Sequence, residues 1–257
     1  MSRIDYDQIA PSYDAQPYRQ KTVDENFIAF CEEHDYGNAA EIKALDLGCG
    51  TGNQLVANFV HRPETYFVGA DYSYGMLKQA QPKSQYIRWV QCDNTAPPFS
   101  ADTFHFISNQ FSYHHLQDKQ AMFDSVARLL NSGGRFILTN LTPEAMTGWL
   151  YYHYFPATYD IDQQHFLATD TLISLMAESG FVNIQHTLNK NRFKQNLQDF
   201  AQQVEARGHC SQLTAISDQD YQAGLKQLAD DIAGANGEAT LLVDSEVCVL
   251  SLRGDKP

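Results

Sequence analysis

The sequence is short of positive charge. It holds 18 lysines and arginines against 31 aspartates and glutamates, for a formal net charge of -13. Such a chain repels phosphate backbones and anionic lipid surfaces, so nucleic acid and membranes are poor partners. It also lacks a cysteine framework. Cys31, Cys49, Cys92, Cys210 and Cys248 are odd in number and form no C-x-x-C pair, which argues against disulfides and a zinc site and for reduced thiols. No run approaches the roughly 18 apolar residues of a membrane span. The opening "MSRIDYDQIAPSYD" is polar and acidic and does not read as a signal peptide, so the expected compartment is the cytoplasm. Internal repeats and low-complexity linkers are missing as well.

What is present is an alternation. Strand-like runs fall at 42–47, 65–71, 85–91, 103–109 and 135–141, and helix-like segments fall at 22–36 (closed by Gly37), 52–62, 73–81 and 117–131. This spacing predicts βαβ units: an α/β, doubly wound, mostly parallel sheet with helices on both faces. Its ligand belongs beyond the carboxyl ends of the strands, at Asp46–Gly52, Asp71, Cys92–Asn94 and Asn109–His115. The last third is less regular. Residues 142–168 read as irregular and aromatic, 169–179 as a helix and 181–188 as a strand. Phe193, Leu197, Phe200 and Val204 are spaced as one helical face, as are Tyr221, Leu225, Leu228 and Ile232 after a cap at Ser217. A final strand covers 245–253. We expect one domain over 1–257, with 1–40 as an N-terminal cap, 41–141 as the cofactor-binding core, and 142–168 and 190–240 as insertions on the substrate side.

The stretch "ALDLGCGTGNQL" (44–55) places Gly48, Gly50 and Gly52 straight after a strand. The dinucleotide fingerprint G-x-G-x-x-G would need glycine where Asn53 stands. A glycine turn is also compatible with a merely tight strand-to-helix connection. The surrounding acids decide between these. Asp46 points a carboxylate into the turn, which disfavours phosphate and suits a cation. Asp71 suits ribose hydroxyls, although dinucleotide folds use that position too. Asp93 is placed to accept from an adenine amino group. Three acids around one cleft describe a positively charged nucleoside without phosphate, and S-adenosylmethionine has that chemistry.

The segments "LDLGCGTG", "VGADYSYGML", "VQCDNTAPPFSADTFHFIS" and "LLNSGGRFIL", preceded by "YDQIAPSYD", resemble the class I S-adenosylmethionine-dependent methyltransferases of small-molecule type over residues 6–141. The resemblance implies a seven-stranded Rossmann-like sheet with one antiparallel strand near its end. It implies that Asp46, Gly48 and Gly50 line the methionine and ribose portions and that Asp71 holds the ribose. Tyr72 and Ser73 would then flank the adenine, Asp93 and Asn94 would read its edge, and Asn109 and Gln110 would lie beside the sulfonium. The resemblance also implies that Tyr13 belongs to an N-terminal segment that closes over the cofactor. One departure is His105, where relatives commonly carry an acid after the phenylalanine of the fourth strand; a partly buried structural role suits it.

Methyl transfer from a sulfonium needs placement above all, and a base only where the acceptor carries a proton. His114 and His115, after the fourth strand, are the candidate bases, against a structural reading in which one caps the next helix. Tyr151, Tyr152, Tyr154 and Phe155 either wall a pocket or form a small core of their own. The place of the N/D-P-P-Y/F motif of nucleic-acid amino-methyltransferases reads "NQFS", and no metal-ligating cluster can be assembled. A small organic acceptor remains. The rival readings are a nicotinamide-dependent oxidoreductase and a cofactor-binding protein without catalysis.

Overall fold

The computed structural model describes residues 6–14, 19–34 and 42–257. In chain order the elements are α1 (Tyr6–Tyr13), α2 (Glu25–Glu33), β1 (Lys43–Leu47), α3 (Asn53–His61), β2 (Tyr66–Asp71), α4 (Tyr74–Ala80), β3 (Arg88–Gln91), β4 (Phe104–Gln110), α5 (Lys119–Leu129) and β5 (Leu130–Leu141). They continue with α6 (Leu150–Tyr154), α7 (Ala157–His165), α8 (Thr169–Glu178), β6 (Val182–Asn196), α9 (Leu197–Glu205), α10 (Ser211–Ala215), α11 (Asp218–Gly234), α12 (Glu238–Leu241) and β7 (Leu242–Asp255). The strands form one seven-stranded sheet in the order β3-β2-β1-β4-β5-β7-β6. The pairs β3–β2, β2–β1, β1–β4 and β4–β5 are parallel. The N–H of Gly133 bonds to the Lys256 carbonyl and the N–H of Lys256 to the Gly134 carbonyl, so the start of β5 meets the end of β7 and β7 runs antiparallel. No helix among the described residues is long and apolar enough to cross a membrane.

The chain separates into two compact units. One lies within 5–140, 170–187 and 251–257, the other within 141–169 and 188–250. In the first, β1, β2 and β4 are buried almost throughout, as a parallel sheet covered on both faces requires. Phe27, Phe30, Phe67, Phe106, Ile137 and Leu55 share its core. Asp24, Ser73 and Asp118 cap α2, α4 and α5 by accepting from backbone N–H groups one turn on.

Several element limits differ from those read in the sequence. Gly37 lies outside the described residues. β3 starts at Arg88, where its pairing with Val68 begins, and β5 starts at Leu130, because α5 passes directly into a strand paired with Phe104. Residues 142–168 are largely helical in α6 and α7. Phe193 belongs to β6 and not to the helix after it: Asn196 caps α9 by accepting from the N–H groups of Gln198 and Asp199, which fixes the helix start. The Ser217 cap of α11 falls where the sequence places it, accepting from the Asp220 N–H.

The second unit has its own core. Tyr151, Tyr154 and Phe155 pack with Phe200, Val204, Leu213, Tyr221 and Leu228. These aromatics are interior, and Tyr152 joins a smaller cluster with Met146 and Cys248. The contacts are those of a small core of their own.

Candidate cofactor-binding site

Strand pairing builds this site. Asp46 is the fourth residue of β1 and stands opposite Ser108 of β4 in the parallel register. Its Oδ1 accepts from Ser108 Oγ at 2.9 Å, and the residue is 3 % exposed. Burial first, and the nearby charges of Asp24 and Asp71 next, push its carboxyl up to about 7 against the pull of Ser108 and Lys21.

The chain then turns through Gly48, Gly50 and Gly52, each at positive φ. The N–H groups of Gly48 and Cys49 both bond to the Ala70 carbonyl, at 2.7 and 3.0 Å, which anchors the loop to β2. The three glycines serve different ends. A Cβ on Gly48 would run into Ser112 and one on Gly52 into the Trp89 ring, so these two permit close packing. A Cβ on Gly50 would have nothing within 4 Å. Among the described residues nothing therefore requires a bare Cα at Gly50 for packing, unlike at Gly48 and Gly52.

Asp71 ends β2. Its Oδ2 accepts from the Gly50 N–H and its Oδ1 from the Ser73 N–H, both at 2.8 Å, so one carboxylate ties the glycine loop to the following turn. Tyr72 is half exposed beside it. Past β3, Asp93 Oδ1 accepts from the N–H and Oγ of Thr95, which shapes the turn. Asn94 is 5 % exposed, and its amide oxygen is buried with no partner among the described residues. A buried acceptor left unmade costs about 1–3 kcal/mol, so a ligand with a donor suits this place. Asn94 also abuts Gly48, where a Cβ would come within 3.2 Å of its Nδ2.

Within the protein, Asn109 and Gln110 hold the end of β4 and the loop after it. Asn109 is fully buried. Its Nδ2 donates to the Leu47 carbonyl and to Ser112 Oγ, and its Oδ1 accepts from the Tyr113 N–H, so it clamps the loop after β4. Gln110 donates to Oδ2 of Asp24 at 3.0 Å. His105 accepts from the Lys43 N–H at Nδ1, a structural role.

His114 and His115 sit on the short turn after β4. The Asn140 Nδ2 lies within hydrogen-bond distance, 3.0 Å, of Nδ1 of buried His114. His115 presents Nε2 to the Tyr6 hydroxyl at 2.7 Å, with the rings edge to face at 5.2 Å.

Tyr6 opens α1, a helix that sequence reasoning left without a role for most of its residues. Asp7 accepts from Ser73 Oγ at 2.5 Å and the Gly75 N–H at 2.7 Å. Asp14 accepts from Thr51 Oγ1, Asn53 Nδ2 and Lys83 Nζ at 2.5–2.9 Å. Tyr13 carries the Arg19 guanidinium over its ring at 3.9 Å. The signal for this was present: Tyr-Asp occurs at 6–7 and again at 13–14, a seven-residue interval that returns to one helix face. Among the described residues, no group of three histidines, cysteines or acids is arranged to hold a metal ion.

Known proteins are similar to this chain in sequence and fold. A family profile described as a methyltransferase domain matches residues 44–134. The chain is 32 % identical over 113 residues to a ubiquinone/menaquinone biosynthesis C-methyltransferase of Desulfotalea psychrophila, a match spanning 42 % of this chain and 45 % of that one, so less than half of that relative's length is covered. It is 30 % identical over 166 residues to a 2-phytyl-1,4-naphtoquinone methyltransferase of Thermosynechococcus vestitus, spanning 56 % of this chain and 73 % of that one. Among solved structures, the phosphoethanolamine N-methyltransferase 2 of Haemonchus contortus in complex with S-adenosyl-L-methionine superposes with a TM-score of 0.60 at 17 % identity, covering 100 % of this chain and 60 % of that one.

Proposed function

Because the chain belongs to the class I S-adenosylmethionine-dependent methyltransferases, we propose that it binds S-adenosylmethionine against the glycine loop of its first unit and methylates a small organic acceptor. The observation that carries the reading is the open side of Gly50 between two glycines that are filled by protein, with buried acids around it. Asp46 pairs with the cationic methionine end. Asp71 takes the ribose hydroxyls, with Tyr72 and Ser73 beside the base. Asn94 supplies the acceptor for the adenine edge, and Asp93 shapes the turn that presents it. Tyr13, anchored through Asp14, closes the loop side. Asn109 and Gln110 act as positioning residues.

Bound there, S-adenosylmethionine supplies a sulfonium methyl carbon for in-line displacement, the electron pair of the broken bond leaving on sulfur. The protein holds the partners near attack distance, a contribution worth several kcal/mol by itself. Where the acceptor carries a proton, His115 takes it at Nε2, the nitrogen now hydrogen-bonded to Tyr6. His114 holds the turn, buried against Asn140, whereas His115 is less buried and its partner Tyr6 stands on α1. The acidic surface supports a small acceptor over nucleic acid. Calorimetry tests the cofactor: S-adenosylhomocysteine binds and NAD does not. Comparable affinity for NAD would overturn the assignment.

A further inference from the structure

The carboxyl end of β4 is a comb of donors. Ser108 and Gln110 stand two residues apart, on one face of the strand, and each donates to a buried carboxylate: Ser108 to Asp46 and Gln110 to Asp24. The Ser108 contact is dictated by backbone register, because Asp46 and Ser108 are paired residues of adjacent parallel strands. Both are buried, at 3 % and 5 % exposure. Nothing else among the described residues donates to Asp46. Its remaining electrostatic neighbours are Asp24 at the start of α2, Asp71 at the end of β2 and Lys21 in the segment before α2, with the Cys49 thiol, held neutral by burial, beside it.

We propose that Ser108 is a positioning residue of the cofactor site: its hydroxyl holds Asp46 as an aimed carboxylate and thereby sets the affinity for the cationic end of the ligand. This rests on the reading of Asp46 given above. A buried carboxylate facing two like charges stays neutral unless a donor favours its ionised form. Without Ser108, that task falls to Lys21 alone. The neutral acid would then offer an ammonium group a carbonyl acceptor but no charge.

The consequence appears in pH. Affinity for an ammonium-bearing ligand rises as Asp46 ionises, around pH 7 in the unaltered protein. Removing the donor makes ionisation harder, so Ser108→Ala moves the midpoint upward by about one pH unit, a roughly tenfold loss of affinity below it. Ser108→Thr keeps the hydroxyl and restores the profile. Ser108→Cys, close in size and a weak donor, behaves as the alanine variant does and stands in for it should that protein fold poorly.

The experiment is calorimetric titration from pH 6 to 8.5 with S-adenosylhomocysteine and, in parallel, with 5′-methylthioadenosine, which lacks the ammonium group. The expected result is a pH-dependent affinity for the first ligand only, displaced upward in the alanine and cysteine variants and restored in the threonine variant. A uniform loss at every pH, or an unmoved profile, overturns the role of Ser108 while leaving Asp46 in place. Equal pH dependence of the two ligands overturns the reading of Asp46 itself, and the proposal with it.

Discussion

Gly50 separates ligand approach from packing at the level of one atom. At φ +54 an alanine is strained by about 1–2 kcal/mol, but its Cβ meets no protein atom. Gly50→Ala is therefore expected to lower the melting temperature only modestly and to weaken S-adenosylhomocysteine binding at least tenfold. Gly52→Ala is the contrast: its Cβ would press on Trp89, so the melting temperature falls further. Equal binding by Gly50→Ala and the unaltered protein would show that the open side is not the ligand's. The two histidines divide in the same way. Once an acceptor is found by screening metabolites for homocysteine release, His115→Ala should lower turnover by roughly 10²–10⁴. His114→Ala breaks the Asn140 contact and should act on thermal stability more than on turnover; turnover losses that are equal for both would contradict this division.

Among the elements, α1 shows how far the sequence could be read. β1 and β2 were legible to within a residue or so because a doubly covered strand must be a short apolar run. The acids at their ends were legible because strand ends in such a sheet carry ligands. β6 was legible only in its first half, read at 181–188, since residues 189–194 are exposed and mostly polar and the strand continues through them beside β7. Nor were the partners of α1: Asp14 meets Thr51 across 37 residues and Tyr6 meets His115 across 109, distances no local pattern encodes. Ser108 was hidden likewise, as one small polar residue in an apolar strand. The helix now has a testable task. Asp7 and Asp14 fasten it to the turn after β2 and to the glycine loop through contacts that are partly exposed. Asp7→Asn with Asp14→Asn is expected to loosen it, raising the dissociation rate of S-adenosylhomocysteine several-fold in stopped-flow measurements and increasing amide exchange in 6–13. Unchanged exchange would mean that other contacts hold α1.

At the scale of the whole chain there are two compact units, each with its own core, and stability should carry the marks of both. In the second unit, Asp162 is 4 % exposed, accepts from the Tyr152 hydroxyl at 2.9 Å and is bonded by Gln212, so α6, α7 and α10 converge on one carboxyl. Burial raises it from 3.8 to about 6. The sign follows from linkage: the native state holds this proton more tightly than the unfolded chain, so the contribution of Asp162 to stability is greatest below about pH 4, falls as the pH rises toward 6, and is level above that. The gap between the two values corresponds to a penalty of at most about 3 kcal/mol at pH 7. Asp162→Asn keeps an oxygen to accept from Tyr152 and removes the charge. Its melting temperature should exceed that of the unaltered protein at pH 7–8, and the gain should shrink to nothing near pH 4. Phe155→Ala supplies the opposite control. It empties a fully buried ring site among Tyr221, Phe200 and Gly224 and should cost about 3–5 kcal/mol at every pH. Both variants alter only the second unit, so S-adenosylhomocysteine affinity should stay within about threefold wherever they remain folded. A gain from Asp162→Asn that persists unchanged at pH 4 would show that the carboxyl is not held protonated by its surroundings, and that the Tyr152 contact alone sets its contribution.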